Sequence, residues 1–159
     1  MEKSGKCLAV VRVRGPSDVR EETEETLKML RLNRGGHTVL IDDRPSYTGM
    51  LKKTQNIVAW GEVSKETVLL LLTKRGKTVG NERLTNDYAK KAGYDSLEDM
   101  AEAIWKLEVD YKDLPDIKPV FRLHPPRKGF RGGVKKSFSA GGSLGYMGES
   151  INGLLKKMA

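Results

Sequence analysis

Residues 124–142 read HPPRKGFRGGVKKSFSAGG, and their side chains are equipped for one kind of chemistry. Arg127, Lys128, Arg131, Lys135 and Lys136 are five cations with no acid among them, the complement of a phosphate chain. Gly129, Gly132 and Gly133 let the backbone approach a sugar-phosphate strand that a Cβ would hold away. Phe130 and Phe138 can stack on unpaired bases, at about 1–3 kcal/mol per base, or plug a hydrophobic seat; the sequence supports both equally. His124, beside Pro125 and Pro126, is an RNA-side contact or a packing contact. Loops of this kind suit irregular RNA, whose unpaired bases and crowded backbones vary in shape. Reading duplex DNA would want a basic helix bearing base-reading side chains, and none is visible.

Residues spaced for catalysis are scarce. Arg75-Gly76-Lys77-Thr78 looks like the end of a phosphate-binding loop, but that motif needs a glycine where Leu71 stands. Asp42 and Asp43 are adjacent, so on a strand they point to opposite faces and make a poor metal pair. His37 and His124 have no ligand or nucleophile at useful spacing. Cys7, the only cysteine, excludes an internal disulfide or a cysteine zinc cluster and reads as a small apolar residue. The expectation is a protein without catalysis, cofactor, metal or small-molecule substrate; an RNA-modifying enzyme is the weakest reading.

The net charge of +8 is informative once located. Through Asp116, twenty basic residues cancel twenty acidic ones; from residue 117 onward, nine basic residues face a single acid, Glu149. Charge segregated in this way is the footprint of a polyanionic partner, with a solubilising disordered tail as the bland alternative. The longest apolar run, residues 68–72, is far short of the roughly 20 residues a membrane span needs. Arg12 and Arg14 interrupt the apolar part of the N-terminus, which argues against a signal peptide. A reducing, cytoplasmic compartment is the simplest fit.

The elements that must carry these residues follow from periodicity. Residues 6–14 alternate like a strand, with Ala9, Val11 and Val13 on one face and Val10, Arg12 and Arg14 on the other. Residues 18–32 read as a helix, acidic at the start and basic at the end, as the helix dipole favours. A strand over 37–41 follows, then a short helix capped by Ser46 or Thr48, and a third strand over 57–63. Helices are expected over 65–74, over 85–91 and after a Ser96–Asp99 capping pair. A strand over 120–123 precedes the basic stretch, and Ile151, Leu154, Leu155 and Met158 form the stripe of a last helix. The basic stretch itself has too few apolar residues to offset its ordering entropy and is expected to be a tethered loop, fixed only on RNA.

Several segments in order along nearly the whole chain also resemble a known family: VVRVRG (10–15), DDRPSYTGMLKK (42–53), NIVAWGEV (56–63), RLTNDYAKKAGY (83–94) and RGGVKK (131–136). They are similar to large-subunit ribosomal protein thirty, in the long archaeal form akin to the eukaryotic large-subunit protein seven. The resemblance implies an α+β fold: a β-α-β-α-β core with a three-stranded antiparallel sheet and two helices. A helical middle region and a basic Gly-rich C-terminal extension follow, so the expected divisions are residues 1–63, 64–116 and 117–159. It further implies a structural, rRNA-binding component of the large (50S) subunit. The implied partners are 23S RNA and other ribosomal proteins, with 5S RNA left open as a neighbour. A non-ribosomal RNA-binding or assembly factor is the alternative. The family's RNA-facing turn and helix are matched by Pro45, Ser46, Tyr47, Gly49 and Met50, with Arg44 at their head and Lys52 and Lys53 adding charge. Met50 reads equally as core packing. Arg12 and Arg14 are RNA contacts or partners of Asp42 and Asp43. From Ser137 to Ser150 the sequence departs from the eukaryotic pattern, so no contacts carry over there.

Overall fold

Every residue of strand β1 (Leu8–Arg12) is buried, because the sheet it centres is covered on both faces. Side chains alternate across a strand, so Ala9 and Val11 enter one apolar cluster while Leu8 and Val10 enter another. This computed structural model describes residues 5–15, 19–127, 129–130, 132–133 and 135–159. Strands β2 (His37–Ile41) and β3 (Val58–Glu62) flank β1 antiparallel, with Val10 opposite both Val39 and Trp60.

Helices α1 (Glu21–Met29) and α2 (Pro45–Lys53) lie on one face and close the smaller cluster with Leu27, Leu30, Leu32 and Leu51. The α+β class and the β-α-β-α-β order agree with expectation. The α1 bounds are narrower than 18–32, since Leu30 caps the helix and Arg31 turns left-handed (φ 62°). Neither Ser46 nor Thr48 caps α2. Arg44 is the N-cap and Pro45 occupies the first turn, where a missing N–H has no helical partner to lose.

The opposite face is covered by α3 (Lys65–Arg75), α4 (Asn86–Lys91), α5 (Leu97–Trp105) and α6 (Ile151–Met158). The starts of α3, α4 and α5 are set by hydroxyl caps: Ser64 Oγ accepts from Thr67 N (3.3 Å), Thr85 Oγ1 from Tyr88 N (3.4 Å) and Ser96 Oγ from Asp99 N (3.3 Å). Val68, Leu71, Met100, Ile104, Ile151, Leu155 and Met158 form the core of this layer with Ala9, Val11 and Ala59. Each of the Val, Leu, Ile and Met side chains among them stabilises the fold by about 1.5–3 kcal/mol on burial.

The sheet has five strands, not three, in the order β4-β2-β1-β3-β5. Strand β4 (Phe121–Arg122) pairs antiparallel with β2, and β5 (Gly145–Tyr146) pairs parallel with β3. Both are two residues long, too short for a period, and are fixed by tertiary contacts. Gly61 makes the second one possible: a Cβ there would strike the Gly148 carbonyl behind β5. No helix among the described residues is long and apolar enough to cross a membrane.

Candidate nucleic-acid interface

Helix α2 presents Ser46, Gly49, Lys52 and Lys53 to solvent while Leu51 is buried beneath it. A Cβ built on Gly49 meets nothing within 4 Å, so this face of the helix is open. Met50 and Tyr47 are half-buried against the α1–α2 cluster, which gives Met50 a packing role. Tyr47 lies between two cations: the Arg44 guanidinium is 4.9 Å from its ring centroid and Lys112 Nζ 5.9 Å. Lys112 Nζ also donates to Tyr47 Oη at 3.2 Å. Arg44 is itself held by Asp42, donating from Nε to Oδ1 (2.8 Å) and from Nη2 to Oδ2 (2.6 Å), and this hydrogen bonding pushes its pKa up. Its charge is largely answered inside the protein, and what it offers outward is a fixed Tyr47.

At the C-terminal end of α2, Lys53 meets Arg14 and Arg20 around a concavity of about 390 Å³, with Asn56 and Thr23 on its walls. Arg14 Nη1 donates to Asn56 O at 3.5 Å. Arg20 escaped sequence reasoning, which put it inside the helix expected over 18–32, whereas it is the N-cap of α1.

Arg12 requires a correction. It is fully buried, and its guanidinium donates to Glu24 Oε1 (2.6 Å), Glu24 Oε2 (3.2 Å) and Leu32 O (2.8 Å), while Nε donates to Arg14 O (2.9 Å). It ties β1 to α1 and is out of reach of RNA. Nor does it pair with Asp42, which Arg44 occupies, or with Asp43.

In the C-terminal stretch, Arg127, Lys135 and Lys136 are exposed. Lys128 and Arg131 lie outside the described residues. Phe130 and Phe138 are half-buried against the large cluster, the packing arrangement of the two alternatives. The expected tethered loop is folded over residues 136–144: Phe138 N donates to Leu144 O (2.8 Å), Gly142 N to Ser137 O (2.7 Å) and Leu144 N to Lys136 O (3.1 Å). The glycines divide. A Cβ on Gly129 or Gly133 would meet nothing, whereas one on Gly132 would strike Gly141, so Gly132 serves the internal turn. His124 is a packing residue: its backbone N donates to Met158 O (3.2 Å) and its Nε2 lies 3.0 Å from Ala159 O, which docks the stretch on the end of α6.

The Cys7 thiol is buried and pushed up to about 12, first by burial and then by Asp42 and Asp110, so it stays protonated and inert near neutrality. Among the described residues no group of three or more His, Cys, Asp or Glu side chains could hold a metal ion.

Comparison with known proteins points to one family. The sequence model of the family described as Ribosomal protein L30p/L7e matches residues 8–58, the segment that spans β1 to β3. Over 152 residues the chain is 52% identical to the large ribosomal subunit protein uL30 of Archaeoglobus fulgidus, covering 95% of this chain and 99% of that one. It is 53% identical over 153 residues to its namesake from Methanococcus maripaludis (96% and 99%). To that of Methanopyrus kandleri it is 50% identical over 148 residues (92% and 99%).

Proposed function

This chain belongs to the ribosomal protein L30p/L7e family, and from that premise we propose that it is a structural, rRNA-bound constituent of the large ribosomal subunit in the cytoplasm. The observation that carries this reading is near-full-length identity of about half to proteins named for that subunit. The chemistry agrees with it. The outward surfaces at α2 and in the C-terminal stretch are cationic and glycine-bearing, suited to phosphate, while the one thiol is inert.

The finer reading assigns RNA contact to Arg14, Ser46, Gly49, Lys52 and Lys53 on the α2 side, with Arg44 acting through Tyr47. Arg127, Lys135 and Lys136 form the second contact surface, together with Lys128 and Arg131. The partner is 23S RNA, with other ribosomal proteins around it. The division into 1–63, 64–116 and 117–159 is one of labour: a sheet core with one RNA face, a helical backing, and a basic extension.

Co-sedimentation tests the reading. A tagged copy expressed in cells that use it should travel with 50S subunits and stay with them through a high-salt wash. Release into the soluble pool, or association confined to immature particles, would favour an assembly factor and overturn it.

A further inference from the structure

A third concentration of positive charge stands apart from these surfaces, at the sheet edge formed by β4. The backbone builds it. Residues 77–79 run against 116–118, with Lys118 N donating to Lys77 O (3.0 Å) and Val79 N to Asp116 O (2.8 Å). Arg75 ends α3 immediately before this turn. From the segment that leads into β4, Lys118, Val120 and Arg122 all reach the same groove.

The result is a groove of about 150 Å³ lined by Arg75, Lys77, Asn81, Lys118, Val120 and Arg122. No carboxylate lines it, and none of its four cations forms an ion pair among the described residues. The acids of the same neighbourhood, Glu82, Asp87 and Asp116, line an adjoining cleft instead. Lys118 Nζ is already oriented, donating to the Asn81 side-chain oxygen. His37, opposite Arg122 in the ladder, is held below the ordinary histidine range by burial and then by Arg122, Arg34 and Arg12, a local mark of crowded cations.

Four like charges around one groove repel one another and destabilise the free protein, so an anion is the natural complement. The space is smaller than the ~300 Å³ at which small-molecule pockets begin, and Val120 is the one apolar side chain on its walls. Four cations, one amide and one apolar side chain suit a backbone phosphate better than a base or a metabolite.

We propose that the Arg75–Lys77–Lys118–Arg122 groove is an additional docking site for an RNA sugar-phosphate strand, separate from the α2 face and the C-terminal stretch. It rests on the rRNA-binding reading above and extends it to residues outside the stretch 124–142.

The full chain is titrated with purified large-subunit rRNA at a series of KCl concentrations. The double variant Lys118→Gln/Arg122→Gln should lower the slope of log K against log salt by about 1.4–1.8, two phosphate contacts' worth. The charge-keeping variant Lys118→Arg/Arg122→Lys should retain the slope. Arg75→Gln/Lys77→Gln, on the opposite wall, should reproduce the loss, so that misfolding of one variant does not decide the matter. At low salt the neutralised proteins should melt no lower than the wild type, since repulsion has been relieved. An unchanged slope in both neutralised variants overturns the groove and leaves the rRNA reading intact. Unchanged slopes accompanied by self-association would show that the cations guard an edge strand instead. Absence of rRNA binding by the wild-type chain overturns both readings.

Discussion

Arg12 shows how far a single residue's surroundings decide its role. In the sequence it alternates with Arg14 and looks equally solvent-facing, yet it is wholly enclosed and its charge is answered by Glu24, whose side chain is 24% exposed. No local pattern separates the two arginines; the difference is made by α1 crossing one and not the other. Glu24→Ala should therefore cost about 3 kcal/mol in urea unfolding, because it leaves a buried guanidinium without its counter-charge. Arg14→Ala should leave stability nearly unchanged. Gly49 makes the opposite case. It sits mid-helix with nothing near its missing Cβ, so Gly49→Ala should raise stability by about 0.5–1 kcal/mol. If RNA lies against that face, the same variant will enter 50S subunits less well than the wild type. A variant both more stable and fully incorporated would show that no partner comes close there.

At the scale of elements, legibility tracked length and period. The three five-residue strands and the stripe of Ile151, Leu154, Leu155 and Met158 were readable because each repeats its apolar residues at the period of its element. Strand β4 falls within the strand expected over 120–123, whereas β5, with two residues, carries no such signal; its pairing depends on what the rest of the chain places beside it. The start of α2 was misread because Ser46 and Thr48 are good caps by type, whereas Pro45 fixes the turn one step earlier. For the basic stretch, composition pointed to a tethered loop and missed the glycine turn that lets residues 136–144 close on themselves. A Cβ on Gly142 would collide with Lys136, so Gly142→Ala should open that turn. In the wild type, amide exchange at Phe138, Gly142 and Leu144 should be slower than at Gly129 and Gly132. Uniform fast exchange from residue 129 to 144 would return the segment to the loop that composition suggests.

Across the whole molecule, the charge asymmetry seen in the sequence survives, but it cannot be tested by removing the segment that carries it. Deleting residues 124–159 would also strip Ile151, Leu155 and Met158, all fully buried, from the sheet face. Neutralisation is the cleaner test: Arg127→Gln/Lys135→Gln/Lys136→Gln changes only exposed side chains. It should reduce the salt slope of rRNA binding by about 2 while leaving the melting transition in place. An unchanged slope would remove the C-terminal stretch from the interface. The parallel pairing of β3 with Gly145–Tyr146, sealed by α6, has a consequence in time as well as in space. A chain made at about 5–20 residues per second waits on the order of ten seconds between the emergence of β3 and that of β5. Throughout that interval the α1–α2 side can close and α3 to α5 can begin to cover the other, but that face lacks Ile151, Leu155 and Met158 of α6. Helix α6 is thus the latch, and a chain that stops short of it keeps a partly open, sticky sheet face that marks it for removal before it can compete for a place in an assembly.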